Sequence, residues 1–545
     1  MVGMKSFFEK YKSRILTILF FAALFLVGLH FLPNVNGNFD ENVEQNILLS
    51  NVKDYAELFN VDEVANAIEL TPISSDPNRD HGVASYYLFA PILFFKSRFP
   101  HLVSVLWHFY TFCLAFLGVV FFYLLMQYLF KNKKMSFILT ALYFFTPRIM
   151  IDSLHNNKDI VLMSLLVVMI YFGIRFIREK EFRWAILFGI VGAFVCNIKI
   201  LGIFFVGIIG IGYIARLTIR KEWNRRNFLC GLVAVITAFS LYIVLTPAIW
   251  GTGQFALFDY IGYCLGNAVA FSADVSVMFE GTYYNYFRNP LPWYYLPKLI
   301  IITLPIVITV MFVVSSALVL YDFSKSCFNK KITFVNVAIL LVFAMFLVPF
   351  SFALFSRPNL YNGWRHFYFL YPLMMIVGSY VVFRFQDYKK VNLAMTVLIG
   401  VTIFADVFCL FKYGIANTAY YNFLAGTGNL AGVYELDYYN ATSQEAFKQF
   451  LASGKLEENE DGMYYLYGPG FGEVVIGDMK NYIGPAVGQK IVLVRSDELE
   501  KYQDEGKVIY NMSNPVYRYN DVSGYDLVYS YKIFNNEVVN FYRVN

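Results

Sequence analysis

Long apolar runs separated by short polar loops dominate the sequence. The first run, residues 15–32 (ILTILFFAALFLVGLHFL), is long enough to cross a bilayer and follows a basic stretch that extends from Lys5 to Arg14. A basic flank before such a run predicts a helix that starts in the cytosol and ends outside. No small-residue cleavage motif follows the run, so we interpret it as a retained span rather than a removed signal peptide.

The loops between the apolar runs carry the charge that predicts topology. By the positive-inside rule, the loops rich in Lys and Arg face the cytosol: Lys131–Lys134, Ile177–Arg183, Arg216–Arg226, Tyr321–Lys331 and Arg384–Lys390. The segments left outside are 33–100, 148–158, 250–297 and 356–367. Spans are predicted near 104–130, 135–147, 159–176, 228–249, 298–320, 332–355, 368–383 and 391–411.

Residues 184–215 begin and end at cytosolic loops but are too short for two spans of ~20 residues. Two short helices or a re-entrant hairpin would fit, with Asn197 and Lys199 at the apex on the outer side. A single long tilted helix would instead invert every later loop, against the charge pattern. We therefore expect about eleven spans, with the N-terminus cytosolic and the C-terminal region outside.

Composition supports a polytopic membrane protein. The sequence is 58% hydrophobic with a mean hydropathy of +0.51, and only 15% of its residues are charged, against roughly a quarter in a soluble protein. No basic groove interleaved with aromatic residues appears, so nucleic acid is an unexpected partner. The six cysteines include no CxxC pair, which argues against a disulfide framework or a metal cluster.

The character of the sequence changes after residue 412. Residues 413–545 contain 17 acidic and 10 basic residues, and Gly, Pro, Asn and Asp separate short strand-like runs. Predicted strands are Met463–Tyr467, Glu473–Ile476, Lys490–Val494, Lys507–Tyr510 and Leu527–Tyr531; predicted helices are Ser443–Leu456 and Asp497–Gln503. We therefore expect an all-α polytopic membrane domain, 1–412, and a small extracytoplasmic α/β domain, 413–545. Asn440 and Asn511 open glycosylation sequons, which are common by chance.

Candidate chemistry gathers in the outer segments. Asp40 and Glu41 follow the first span, and residues 43–69 have the spacing of amphipathic helices on the outer membrane surface. Ionisable groups at membrane depth are costly and therefore indicate a pathway or site. The further candidates are Asp80, His81, Arg148, His155, Asn156, Lys158, Asp159, Lys199, Tyr284, Arg288, Trp293, Tyr361, Arg365 and His366. Solvated acids, helix caps, a salt-bridged turn, snorkelling and an aromatic belt are the structural alternatives.

The order of these motifs resembles the GT-C glycosyltransferases over residues 15–412. Asp-Glu follows span one, Pro-Arg…His-Asn-Asn-Lys-Asp follows span three, and Trp-Tyr-Tyr-Leu-Pro and then Gly-Trp-Arg-His-Phe come later. The sequence is most similar to the glycosyltransferase 39 and 83 group, which includes protein O-mannosyltransferases and lipid A aminoarabinose transferases. The eukaryotic O-mannosyltransferases carry a lumenal β-trefoil for which this chain has no room. A lipid, glycan or protein acceptor therefore stays open.

The resemblance implies roles for the candidate residues. The first-loop acid would activate the acceptor, so Asp40 would be the base, Glu41 its neighbour or substitute, and Asp159 the second acid. The donor would be a sugar on a polyprenyl phosphate. Candidates for its phosphate are Arg148, Lys158, Lys199, Arg365 and His366; candidates for sugar or acceptor contacts are Asp80, His81, His155, Asn156, Tyr284, Arg288, Trp293 and Tyr361.

The expected function is inverting sugar transfer at the outer face of the plasma membrane. Such transfer needs a base for the acceptor hydroxyl and cations for the departing phosphate. No cofactor is required, although Asp40, Glu41 or Asp159 could hold a divalent cation. The alternatives are a transporter or flippase of lipid-linked sugars, and a non-catalytic assembly subunit. A transporter often shows two similar halves, and this sequence does not.

Overall fold

The computed structural model describes residues 2–35, 39–250, 256–269, 275–329, 332–361, 363–514 and 521–544. The helices in these ranges are α1 (Val2–Phe31), α2 (Phe39–Leu58), α3 (Asp62–Ala67), α4 (Ala90–Leu93), α5 (Pro100–Phe130), α6 (Lys133–Phe145), α7 (Pro147–His155), α8 (Asp159–Glu179), α9 (Phe182–Ile198), α10 (Gly202–Ile219), α11 (Arg225–Leu245), α12 (Leu257–Val269), α13 (Tyr295–Thr303), α14 (Ile306–Phe328), α15 (Phe334–Ser356), α16 (Leu370–Arg384), α17 (Lys389–Tyr413), α18 (Ser443–Ala452), α19 (Phe471–Tyr482), α20 (Pro485–Gly488) and α21 (Leu499–Asp504). The strands are β1 (Val277–Phe279), β2 (Thr282–Tyr284), β3 (Tyr464–Tyr467), β4 (Ile491–Val494), β5 (Ile509–Ser513), β6 (Asp526–Ile533) and β7 (Asn536–Arg543).

Eight helices in the described ranges are long and apolar enough to cross a membrane. The count rises to nine if α6 and α7, which meet at a bend of 66°, form one broken span. Pro147 opens α7, and a proline cannot continue the hydrogen-bond ladder of the preceding helix. Helices α9 and α16 are apolar but shorter, so the predicted count of about eleven stays a prediction.

Helix α8 lies at the centre of the helical bundle. In its most apolar window 83% of the residues are buried, against 17% for α11 and for the helix that includes α17. Helices α5 and α9 pack against α8, and α14 and α15 pack against α16. The apolar surfaces left exposed on the outer helices suit contact with lipid chains.

One predicted span is divided into two helices. Residues 298–320 fall in α13 and α14, which are separated by Leu304 and Pro305. Leu304 has an extended backbone, with φ −105° and ψ 153°, the conformation favoured for a residue before proline. The span predicted near 298–320 therefore begins in α13, and α14 carries its membrane-length helix.

The awkward segment 184–215 forms two short helices, α9 and α10. Lys199 between them is extended, with φ −147° and ψ 134°. The side chain of Asn197 fixes the break: its Oδ1 accepts from the Ala84 backbone N–H at 3.0 Å, and its Nδ2 donates to the Thr246 hydroxyl at 3.0 Å. Of the predicted alternatives, the single long helix is wrong.

The amphipathic pattern at residues 43–69 predicts helices correctly, and the first of them is α2. Helix α2 buries its apolar residues Ile47 and Leu48, and it also buries polar residues such as Asp54. The Asp54 carboxylate accepts hydrogen bonds from the backbone N–H and hydroxyl of Ser74, at 2.8 and 2.9 Å. The polar face of α2 therefore packs against other parts of the protein, and its position at the outer membrane surface stays a prediction.

The α/β region predicted after residue 412 is present. Its five-stranded sheet has the order β4-β3-β5-β7-β6, with β3 parallel to β4 and β5, and β7 antiparallel to β5 and β6. The predicted strand Glu473–Ile476 is wrong, because these residues lie in α19. Ile476, Met479 and Ile483 are buried at the i, i+3, i+7 spacing of a helix face, which outweighs the strand propensity of the local Val-Val-Ile run.

Neither glycosylation sequon presents an accessible amide. Asn440 is 6% exposed and Asn511 is fully buried. Both asparagines are therefore parts of the packed C-terminal region.

Candidate functional site

The candidate site is centred on an ion pair between Asp40 and Arg365. Asp40 lies in the first turn of α2, and Arg365 lies in the 3-10 turn Arg365–Phe367 that precedes α16. A guanidinium N–H of Arg365 (Nη1) donates to Asp40 Oδ2 across 325 residues of sequence. The Arg365 side chain is 7% exposed and that of Asp40 is 33% exposed. The carboxylate is therefore the member of the pair that an incoming hydroxyl can reach.

Aromatic side chains surround the Arg365 guanidinium. It lies 5.5 Å from the Tyr361 ring, 4.9 Å from the Tyr438 ring and 5.1 Å from the Tyr439 ring, within cation–π range. Nη1 also donates to the Tyr439 hydroxyl at 2.6 Å. Its Nε is buried with no hydrogen-bond partner among the described residues.

A second ion pair joins Asp159, the first residue of α8, to Lys199 at the break between α9 and α10. Lys199 Nζ lies 2.6 Å from Asp159 Oδ1 and 3.5 Å from the His366 carbonyl oxygen. The side chain of Asn156 lies at the start of α8, where its Oδ1 accepts from the Asp159 backbone N–H at 2.9 Å. The His366 carbonyl connects this pair to the turn that carries Arg365.

A third ion pair involves Glu44, which the sequence analysis does not predict. Glu44 Oε1 lies 3.4 Å from Lys158 Nζ and 3.1 Å from His81 Nδ1. Burial alone would raise the pKa of Glu44, but Lys158 and His81 outweigh it and lower the pKa to about 2. Glu44 lies one helical turn after Asp40, and this i, i+4 spacing is the signal that could have found it.

Glu41 has a different environment from Asp40. It is 1% exposed and accepts hydrogen bonds from His108 at 2.8 Å, Ser104 at 3.2 Å and Gln45 at 3.0 Å. His108 and Ser104 belong to α5, so Glu41 joins α2 to a neighbouring helix. Of the two adjacent acids, Asp40 is therefore the one whose described hydrogen bonds include Arg365.

Arg148 and His155, both on α7, contact the C-terminal region. Arg148 donates to the Tyr420 carbonyl oxygen at 3.1 Å and lies 4.9 Å from the Tyr421 ring. The His155 ring lies 5.0 Å from the Tyr439 ring. Side chains of α7, which precedes α17, and tyrosines that follow α17 therefore belong to one polar layer.

His366 occupies a setting that suits a neutral imidazole. Burial and the neighbouring Arg365 lower the pKa of His366 well below its usual value. Its ring lies 4.8 Å from that of Tyr361. As a phosphate ligand His366 would therefore offer a hydrogen bond rather than a charge.

Four predicted site residues have other surroundings. Asp80 accepts from Asn267 at 3.1 Å, Tyr284 packs against Phe279, Trp293 contacts Tyr294, and Arg288 is exposed. The described contacts do not connect these four to the Asp40–Arg365 pair.

The described part of the chain holds no group of three or more His, Cys, Asp or Glu side chains placed to bind a metal. The carboxylates of the site are instead paired with cations. A divalent cation at Asp40, Glu41 or Asp159 stays a prediction.

Part of the sequence matches a known family. Residues 86–250 match the family model described as dolichyl-phosphate-mannose-protein mannosyltransferase. The comparison with curated proteins gives no match.

Solved structures are similar at low sequence identity. ArnT from Cupriavidus metallidurans is 11% identical both with undecaprenyl phosphate bound (97% of each chain, TM-score 0.43) and in the apo state (98% of each chain, TM-score 0.46). The archaeal oligosaccharyltransferase AglB from Archaeoglobus fulgidus, in complex with an inhibitory peptide and a dolichol-phosphate, is 11% identical over 92% of this chain and 70% of that one, with a TM-score of 0.46. The family match includes Arg148, Lys158, Asp159 and Lys199, and over residues 86–250 it confirms the resemblance to the GT-C superfamily of membrane glycosyltransferases.

Proposed function

We propose that the protein transfers a sugar from a polyprenyl-phosphate donor to an acceptor at the outer surface of the plasma membrane, with inversion of the anomeric centre. The observation that carries the proposal is the contact between Asp40 and Arg365, with Lys199 and Lys158 in adjoining ion pairs. A reachable carboxylate beside one buried and two half-buried cations is the arrangement that sugar transfer from a phosphate requires.

In the proposed reaction Asp40 takes the proton of the acceptor hydroxyl as its oxygen bonds to the anomeric carbon. The bond between that carbon and the phosphate oxygen breaks, and the polyprenyl phosphate departs with the electron pair. Arg365, Lys199 and Lys158 stabilise the second negative charge that the phosphate gains. A single displacement of this kind inverts the anomeric centre, whereas retention needs a carboxylate nucleophile at that carbon.

The donor phosphate would compete with Asp40 for Arg365. Before donor binding, the ion pair neutralises a guanidinium that would be costly to bury alone. When the phosphate takes over this contact, the carboxylate becomes available as a base.

The test compares Asp40→Asn with Asp62→Asn, an exposed acid in α3 that serves as the matched control. Asp40→Asn keeps the shape of the side chain but removes the proton acceptor, so transfer should fall by roughly two to four orders of magnitude. Donor binding should not weaken, because a base acts mainly in the transition state and the substitution removes the charge that competes with the phosphate for Arg365. Purified protein in nanodiscs would be assayed with a panel of polyprenyl-phosphate sugars, chosen from glycolipid profiles of cells with and without the protein.

Asp62→Asn should transfer sugar at the wild-type rate. Full activity in Asp40→Asn would contradict the catalytic assignment. Movement of the intact donor between leaflets, without transfer by the wild type, would contradict the enzyme and favour the flippase alternative.

A further inference from the structure

The turn at residues 437–442 is built around a buried carboxylate. Asp437 is fully buried, and its oxygens accept from the backbone N–H groups of Ala441 at 3.0 Å and Thr442 at 2.8 Å. At the end of β5, Asn514 Nδ2 donates to the Asp437 carbonyl oxygen at 3.2 Å and to Asn440 Oδ1 at 3.1 Å. The C-terminal sheet thereby holds this turn in place.

Tyr439 projects from this turn into the candidate site. Its hydroxyl accepts the hydrogen bond from Arg365 Nη1 at 2.6 Å, and its ring packs against His155. Burial raises the pKa of Tyr439 well above its usual value, although Arg365 opposes the effect. The phenol therefore stays protonated and neutral, and it leaves the positive charge of Arg365 intact.

We infer that Tyr439 is a positioning residue, supplied by the C-terminal region, that holds the Arg365 guanidinium ready for the carrier phosphate. The inference rests on the proposed function. Asp40 and Tyr439 are the two hydrogen-bond partners of Arg365 Nη1 among the described contacts. If the phosphate displaces Asp40, the Tyr439 hydroxyl is the partner that remains. Without the hydroxyl, Nη1 would lose this fixed contact in the step in which the guanidinium binds the phosphate.

The test measures binding of farnesyl phosphate, a short polyprenyl monophosphate, to the full-length protein by calorimetry, with farnesol as the probe that lacks the phosphate. Tyr439→Phe keeps the ring and removes the hydroxyl, so farnesyl phosphate binding should weaken roughly ten-fold, as expected for one hydrogen bond to a charged group. Farnesol binding should not change. Tyr529→Phe, which removes a hydroxyl from β6 where the ring stacks on Phe450, is the matched control and should bind both probes like the wild type.

A double-mutant cycle separates positioning from direct contact. If Tyr439 acts through Arg365, Arg365→Ala/Tyr439→Phe should bind farnesyl phosphate as weakly as Arg365→Ala alone. A further loss in the double variant would show that the hydroxyl contacts the phosphate itself and would overturn the positioning role. Equal binding by wild type and Tyr439→Phe, at equal thermal stability, would overturn the inference while leaving the proposed function intact. Failure of the wild type to bind farnesyl phosphate more tightly than farnesol would overturn the proposed function instead.

Discussion

At the scale of single residues, the three cations closest to the proposed chemistry are each paired with a carboxylate. Arg365 pairs with Asp40, Lys199 with Asp159, and Lys158 with Glu44. Burying a lone charge costs several kcal/mol, and breaking a buried pair leaves its partner uncompensated. Removal of one cation therefore lowers both the stability of the fold and the rate of sugar transfer, and an experiment must separate these two effects.

Lys199 offers such a separation. Lys199→Ala leaves the buried Asp159 unpaired and should destabilise the protein by about 3–5 kcal/mol. Lys199→Ala/Asp159→Asn removes the orphaned charge and should recover much of that stability, as measured by thermal unfolding in detergent. Sugar transfer should stay low in both variants, because losing one contact to the departing phosphate costs on the order of 2–4 kcal/mol. Recovery of transfer in the double variant would show that Lys199 serves only to neutralise Asp159.

At the scale of elements, the break between α9 and α10 is held by an unusually close backbone contact. A Cβ at Gly82 would lie 1.7 Å from the Asn197 carbonyl oxygen. Only glycine allows the outer loop to approach this closely. The contact holds the loop against the end of α9, directly before Lys199.

Gly82→Ala should therefore displace the loop or the end of α9 and move Lys199 away from the site. We expect at least a ten-fold loss of sugar transfer together with a lower unfolding temperature, in line with the large effects of steric overlap in packed regions. Gly400→Ala in α17 is the matched control, because a Cβ there meets no atom within 4 Å. Wild-type transfer by Gly82→Ala would show that the loop can relax without disturbing the site.

Packing of α19 near α2 and α5 should depend on pH. Burial and the nearby charge of Glu41 raise the pKa of Asp478 from 3.8 to about 6, while Lys96 opposes the shift. Because the folded pKa is raised, ionisation of Asp478 penalises the folded state. The penalty is absent below pH 3.8, grows between 3.8 and about 6, and is complete above that range.

Asp478→Asn should consequently unfold at a higher temperature than the wild type at pH 7, and at nearly the same temperature at pH 4. Thermal unfolding followed by the intrinsic fluorescence of detergent-solubilised protein across this range would measure the difference. A constant difference at all pH values would contradict the ionisation argument and indicate a change in packing alone.

At the scale of the whole molecule, the C-terminal region forms part of the site. Tyr420 and Tyr421 contact Arg148, and Tyr439 contacts Arg365. These tyrosines follow α17, which ends at Tyr413, close to the predicted domain boundary at 412/413. The region that follows α17 therefore closes around the same polar layer that the helical region builds.

The proposed function requires the C-terminal region to lie on the outer side of the membrane. In a variant that has no other cysteine, Glu505→Cys at the end of α21 should react with an impermeant maleimide added to intact cells. A second variant, which keeps Cys327 as its single cysteine, should react only after permeabilisation. Glu505 and Cys327 are both exposed, while Cys264 is buried in α12 and is a poor reporter. Labelling of Cys327 in intact cells would contradict the topology and the outer placement of the site.

The sequence by itself determined most of the helical framework and the pool of candidate residues. A membrane helix satisfies its backbone hydrogen bonds within one segment, so apolar length and flanking charge predict it locally. Polar side chains beside such helices are rare enough to stand out, which is how Asp40, Lys199 and Arg365 could be chosen. The break between α13 and α14 at Pro305 was not predicted, because the apolar composition of this segment does not reveal it.

Tertiary structure alone decided which of these side chains meet. Asp40 and Glu41 are neighbours in sequence, yet one contacts Arg365 and the other His108, because successive residues of a helix point about 100° apart. The sequence around Tyr439 does not predict its role, since that role depends on a contact with Arg365, which lies 74 residues away in the chain. Ion pairs and hydrogen bonds between distant segments depend on how the helices bend and pack, and that information is not contained in the spacing of any single stretch of the chain.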